Sequence, residues 1–413
     1  VAARASHCLG QLARAEGGHA AVKPALDQAL RRLKEGNRLD SAVLVLVQLA
    51  EHAPTLTYVH LSEICDHLWT AIRDPRVSTR QGAAAVLRAC LALVASRPGH
   101  ARERWYARVY DEAQKGLASG ASTEIVHGAL LTIAELLDAP GARLTERQLD
   151  TLFEGAWACR NHRDKAVRRA VLDVPPRMAA HCERSSVEEV HRGAKLNLFE
   201  SNFLNGSVAL MLTALRSPPY QELRHLVFQA IGEIALHTKA TIHSRQEPLQ
   251  PLHRRATAPS SNPRKGSIFG AGPSVSVVEL RSGAPLDAHP LVEKLPELLQ
   301  ELKESLGFRK AARGAKGPLT ASPEAIQCIE NLAISMGPTL SPYIADLMPH
   351  LFASGLSPAL LSALQAIAKH VPSELPLLQR NVLDAVAATL TRLPFDEWCQ
   401  LPRKDRTGAF ALA

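Results

Sequence analysis

Aromatic residues are scarce, at 4% of 413 residues, although apolar residues as a whole reach 46%. Alanine and leucine carry that apolar load. They favour helices, whereas strands favour aromatic and β-branched residues, so an all-β protein is excluded first. No apolar run approaches the roughly 18 uninterrupted residues of a membrane helix, and no secretory leader opens the sequence. There is no C-x-x-C pair, and the cysteines are odd in number: Cys8, Cys65, Cys90, Cys159, Cys182, Cys328 and Cys399. A disulfide framework and a zinc ribbon are therefore not expected, and a reducing, cytoplasmic compartment is. The first residue is Val1 and the helical pattern is already running there, so the sequence reads as an excerpt of a longer polypeptide.

The formal net charge is +8. Residues 238–290 hold seven basic against three acidic residues, and residues 308–318 add Arg309, Lys310, Arg313 and Lys316 with no acid. Those two segments account for the whole excess. Nucleic-acid binders set basic residues along one face of a folded element. Here the charge falls in two loop-like segments, so no nucleic-acid partner is expected.

What is present is a repeat. Leu-Ala-like pairs ending an apolar stripe recur with first residues Leu12, Leu49, Cys90, Leu136 and Met178, at spacings of 37, 41, 46 and 42 residues. Ile234, Leu332 and Ile367 continue the series. A helical pattern with a period near 40 is the mark of HEAT and armadillo repeats, and predicts an all-α solenoid of stacked helix pairs. The long step from Ile234 to Leu332 must hold a linker and one degenerate repeat around Leu291–Leu306. One unit shows the logic. Leu61, Ile64, Leu68 and Ile72 form one helical stripe, Asp74-Pro75 breaks it, and Ala83, Val86, Leu87, Cys90, Leu91 and Val94 form a wider second stripe. Such a pair cannot bury its apolar face alone; stacking on the next pair does.

Ser322-Pro323, Ser341-Pro342 and Ser357-Pro358 each predict a helix start, with a hydroxyl as N-cap and proline at the first helical position. Gly337 and Gly355 predict helix C-termini. Residues 238–290 contain seven prolines with many Ser and Gly, and predict a disordered basic insert. The resulting division is a solenoid over 1–237, the insert over 238–290, a continued solenoid over 291–393, and an unassigned tail over 394–413.

Chemistry-bearing motifs are few. His162-Arg163-Asp164 spells the start of a kinase catalytic loop, but position 169 is Arg where a metal-binding Asn is needed, and neither D-F-G nor V-A-I-K occurs. It reads as an inter-helix turn followed by the Val167-Arg168 pair of the repeat. Gly266 to Gly272 is glycine-rich but is neither G-x-G-x-x-G nor a P-loop. His60, Cys65 and His67, like His181 and Cys182, lack a second half-site for zinc. No catalytic residue, metal site or cofactor is therefore expected. Thr257 follows Arg254-Arg255 and Ser267 follows Arg264-Lys265, the form favoured by basophilic kinases, which makes both candidate phosphorylation sites.

Several blocks carry a family likeness. Asp74-Pro75 with Arg80-x-Gly82-Ala83 through Leu87-Arg88-Ala89-Cys90-Leu91, then Trp105-Tyr106 and Tyr110-Asp111-Glu112-Ala113-x-Lys115-Gly116, then His127-Gly128-Ala129-Leu130-Leu131, resemble the N-terminal HEAT region of the target-of-rapamycin (TOR) protein kinases. Met336-Gly337-Pro338 and Gly355-Leu356-Ser357-Pro358-Ala359-Leu360 do so as well. The likeness spans about 1–236 and 291–393; the insert departs from it, and Pro175-Pro176 doubles a proline the family shows once, which predicts a kink. The resemblance implies a very large Ser/Thr kinase of the phosphatidylinositol-3-kinase-related class whose kinase region lies outside this chain. It also implies a scaffold that docks regulatory subunits, raptor-type or those of the second complex, and a second TOR chain, with peripheral endomembrane association. Read without the resemblance, the repeat also suits another HEAT scaffold, such as a nuclear-transport receptor or a phosphatase scaffold.

Overall fold

The computed structural model describes residues 2–15, 17–97, 99–118, 120–190, 203–246, 290–308 and 322–402. Among these residues the regular structure is entirely helical. The chain opens with α1 (Ala2–Arg14), α2 (Gly18–Glu35), α3 (Leu39–His52) and the short α4 (Pro54–Val59). Next come α5 (Leu61–Ile72), α6 (Val77–Ala95), α7 (Gly99–Gly116), α8 (Thr123–Asp138), α9 (Glu146–Ala158) and α10 (Lys165–Val190). They are followed by α11 (Phe203–Arg216), α12 (Arg224–Gln246), α13 (Pro290–Lys303) and α14 (Pro323–Met336). The last are α15 (Ser341–Ala353), α16 (Pro358–His370), α17 (Leu375–Thr391) and α18 (Phe395–Gln400), the last lying within the unassigned tail.

The helices stack in two rows, as the period requires. The inner row runs α1, α3, α6, α8, α10, α12, α14, α16, each packed on the next. The outer row holds the first helix of each pair: α2, α5, α7, α9, α11, α13, α15 and α17. One apolar core extends without interruption from Ala13 to Ala385. All the stripe residues read from the sequence in α5 and α6 are buried, Leu87 completely.

Close packing along the inner row depends on missing side chains. A Cβ on Gly82 would stand 2.7 Å from Val43 Cγ2 of α3, and one on Gly232 would stand 3.1 Å from Cys328 Cα of α14. A Cβ on Gly128 of α8 would meet the Ile72 carbonyl oxygen, at the end of α5, at 2.3 Å. Larger residues at these points would push neighbouring helices apart.

Three expectations need correction. Leu12 is 44% exposed, so it does not anchor the first unit; Ser6, Gly10 and Ala13, one helical face, turn inward instead. Of the three serines predicted as N-caps, only Ser357 accepts a hydrogen bond from its helix, from the Leu360 amide at 3.2 Å. Ser322 Oγ donates to Glu324 instead. Ser341 already lies inside α15, because the 3₁₀ turn Gly337–Leu340 leads straight into that helix, and its hydroxyl donates to Glu374 at 2.5 Å. Residues 238–246, placed in the insert, continue α12, which stops two residues before Pro248, the first proline of the segment. The doubled proline Pro175-Pro176 lies within the 26-residue helix α10. Gly337 and Gly355 do close their helices, with φ of +53° and +86°.

The helices on either side of the insert belong to one stack. Arg216 of α11 donates to Glu297 (3.1 Å) and Glu301 (3.0 Å) of α13, and Arg224 at the start of α12 donates to Glu301 and to Ser305 Oγ, both at 3.1 Å. Residues 247–289 lie outside the described residues.

Candidate protein-binding surface along the inner helix row

Three repeats build their turn with the same device. An arginine near the start of the second helix folds back onto the carbonyls of the loop before it. Arg80 Nη1 donates to the Asp74 (2.7 Å) and Pro75 (3.0 Å) carbonyls. Arg168 Nη1 donates to those of His162 and Arg163, both at 2.8 Å, and Arg224 Nη1 donates to a single carbonyl in the last turn of the preceding helix, that of Leu215, at 2.5 Å. These loop carbonyls have no helix partner, and a guanidinium satisfies two at once. An aspartate caps the same turn: Asp74 Oδ1 accepts from the Arg76 amide (2.8 Å), and Asp164 Oδ1 from the Ala166 amide (2.7 Å). The kinase-like triplet is thus a helix cap. His162 Nδ1 accepts from the Asp164 amide at 3.0 Å.

The arginine also reaches across the stack. Arg80, 2% exposed, donates from Nε to His127 Nδ1 at 2.9 Å. His127 must therefore be neutral at Nδ1. Burial, reinforced by the Arg80 charge, lowers its pKa to about 4. The unfolded value is near 6.5, so the unfolded chain binds the extra proton between those limits. The contribution is complete above pH 6.5 and is lost as pH falls toward 4, by on the order of 2 kcal/mol. Amide exchange across α6 and α8 should therefore accelerate as pH falls through this window, beyond the intrinsic rate, and less so in His127→Gln. Equal pH dependence in the two proteins would show that His127 protonates in place.

Polar side chains link five pairs of successive inner helices, at the period of the repeat. His7 lies 3.3 Å from Gln48, and Arg14 Nε donates to His52 at 3.1 Å, between α1 and α3. Arg88 of α6 grips Glu135 of α8 through two bonds of 2.7 Å. Arg177 of α10 pairs with Asp138 of α8, and His237 of α12 meets Glu183 of α10 at 2.7 Å. Ser362 of α16 donates to Glu330 of α14 at 2.7 Å. The forked Arg88–Glu135 pair is the one with a buried partner: Glu135 is 5% exposed beneath an arginine that remains 62% exposed. Burial pushes the Asp173 carboxyl up to about 6, against the pull of Arg169 and with help from Glu233 of the next helix.

Polar and charged pairs thus recur along these close-packed helices. The pattern suits extended contact with another protein rather than chemistry on a small molecule. Among the described residues no group of three His, Cys, Asp or Glu side chains is placed to hold a metal ion, and no helix is long and apolar enough to cross a membrane. His60 pairs with Glu63 at 3.4 Å, Cys65 is buried in the core, and His181 Nδ1 lies 3.0 Å from the Leu137 carbonyl. The candidate phosphorylation sites Thr257 and Ser267 lie outside the described residues. Arg80 and His127 each fall in a block of the family likeness, but nothing in the sequence pairs the two, 47 residues apart.

Known proteins match this chain along nearly its whole length. The serine/threonine-protein kinase TOR of Arabidopsis thaliana is 30% identical over 399 residues, covering 95% of this chain. Its namesake from Oryza sativa subsp. japonica is 29% identical and covers 94%. The serine/threonine-protein kinase tor1 of Schizosaccharomyces pombe is 30% identical over 234 residues, covering 55%. The chain spans only 13% of the length of either plant protein and 9% of the yeast one. No protein-family model matches it.

Proposed function

Because the chain belongs to the target-of-rapamycin family of Ser/Thr protein kinases, as an N-terminal TOR-like region, we propose that it is the part of such a kinase that carries partners and not the part that transfers phosphate. The observation behind this is the unbroken inner row, with polar links across five of its seven helix-to-helix steps. A solenoid offers a long surface of this kind, and phosphoryl transfer needs a lysine, an Asp-Asn pair and a metal-binding Asp that this sequence does not supply. The partners are regulatory subunits of the raptor type or their second-complex counterparts, and a second TOR chain. The setting is the cytoplasm, with peripheral contact to endomembranes, in growth and nutrient signalling. No cofactor and no nucleic acid take part.

Immobilised full chain should retain a purified raptor-type subunit. Arginine substitutions at the exposed inner-row positions Gln81 and Gln327 should weaken retention at least about tenfold, the cost of roughly 1.4 kcal/mol. A substitution at the exposed outer-row position Gln114 should not. Failure of the unaltered chain to retain any regulatory subunit would refute the proposal, and sensitivity only at Gln114 would move the surface to the outer row.

A further inference from the structure

The sequence holds four Ser-Pro pairs: Ser217-Pro218, Ser322-Pro323, Ser341-Pro342 and Ser357-Pro358. Proline has no amide hydrogen and disfavours a helical conformation in the residue before it. A Ser/Thr kinase whose cleft leaves the amide after the acceptor unpaired therefore takes Ser-Pro readily. It still needs the pair on an exposed, extended segment with an unengaged hydroxyl. Ser341 fails this: it is helical (φ −49°, ψ −48°), and its hydroxyl is bonded to Glu374 at 2.5 Å and Ser373 at 3.0 Å. Ser322 is half-buried, and its Oγ donates to Glu324 at 2.7 Å, which sets a carboxylate where phosphate oxygens must arrive. Ser217 is half-buried too, and its flanks are pinned. Arg216 holds Glu297 and Glu301 of α13, and the amide of buried Tyr220 donates to the Ser217 carbonyl at 3.0 Å.

Ser357 meets every term. Residues 354–357 join α15 to α16, and Gly355, Leu356, Ser357 and Pro358 are all exposed, Leu356 at 60%. Gly355 has a φ of +86°, and nothing lies within 4 Å of a Cβ built on it, so the turn stands clear of the helices. Ser357 is extended, with φ −140° and ψ 158°. Its Oγ accepts from the Leu360 amide at 3.2 Å and donates to no group among the described residues. No acid therefore has to be displaced from the acceptor oxygen. The product also suits its place. Ser357 is the N-cap of the 13-residue α16, where a phosphate dianion meets the positive end of the helix dipole and the first-turn amides.

We propose that Ser357 is a phosphorylation site, the one Ser-Pro pair that the fold presents to a separate proline-directed Ser/Thr kinase using ATP. Ser357 Oγ attacks the γ-phosphorus, the bond to the β–γ bridging oxygen breaks, and ADP leaves. The hydroxyl proton passes to the catalytic aspartate of that kinase. The product carries about two negative charges on a turn, residues 354–358, that has none before.

The full chain is incubated with ATP and a purified mitogen-activated protein kinase, and the label is placed by peptide mass spectrometry. Ser357 should gain phosphate at least about tenfold faster than Ser217, Ser322 or Ser341. Four short synthetic peptides carrying the same pairs should react with a smaller spread, because nothing in them hides a hydroxyl. Ser357→Ala should remove the label. Pro358→Ala keeps the capping hydroxyl and should lose it as well, so the answer does not depend on a variant without its helix cap. The proposal falls if Ser357 stays unlabelled in the full chain, if the four sites react in the ratio seen in the peptides, or if Pro358→Ala is labelled as fast as the unaltered chain.

Discussion

Leu87→Asp unfolds the N-terminal third of the solenoid before its C-terminal repeats. Leu87 is completely buried in the second helix of its repeat, within the core shared by α3, α5, α6 and α8. A carboxylate there has no partner and loses its water, at a cost of about 3–5 kcal/mol unless it protonates or the site opens. Solenoid stability is close to a sum of repeat terms and nearest-neighbour interface terms. The damage should therefore reach α3 and α8 first and leave α15 and α16 largely protected. Hydrogen exchange on both proteins reads this directly, as faster exchange over about 39–138 and little change over 341–370. A uniform increase along the whole chain would show global cooperativity, and an unchanged profile would show that the α6 register is wrong.

Gly128→Ala is expected to cost about 1–3 kcal/mol, although alanine is the better helix former by about 1 kcal/mol. The added Cβ would stand 2.3 Å from the Ile72 carbonyl oxygen and 2.8 Å from Ile72 Cγ2. The first of these is backbone and cannot rotate away, so α8 must back off from the end of α5. That movement also lengthens the Arg80–His127 bond, which joins α6 and α8 near the same turn. Gly99→Ala is the matched control: nothing lies within 4 Å of its Cβ position, and it opens α7. It should leave stability unchanged or raise it by up to about 1 kcal/mol. Thermal unfolding of the two variants should rank them on opposite sides of the unaltered chain. Matching midpoints would mean that the α5–α8 contact is looser than the geometry requires.

The family blocks acquire a physical meaning from these contacts. Arg80-x-Gly82 and His127-Gly128 are 47 residues apart, yet they meet through Arg80–His127, and Gly82 and Gly128 permit the close approaches around them. Gly116 likewise faces Ala129, whose Cβ would lie 2.7 Å from an added methyl. Arg88, one turn before the Leu91 end of its block, grips Glu135. Residues that look like loop decoration in one dimension are the joints between repeats.

Local and periodic features were therefore legible in the sequence alone. The stripes of α5 and α6, the helix ends at Gly337 and Gly355, and the near-40 spacing all follow from side-chain periodicity and backbone preference within one or two turns. These forces act between neighbours in sequence, so pattern suffices to read them. Where a hydroxyl finds its partner is a different matter. Ser341 looked like a cap, but Glu374, 33 residues away, takes its hydrogen bond. Leu12 matched the repeat's anchor, but the face that α1 buries is set by what α3 offers to it. The inner-row links and the Arg80–His127 joint connect side chains from different helices. Their geometry is set by how closely the helices stack, and only the tertiary structure decides that.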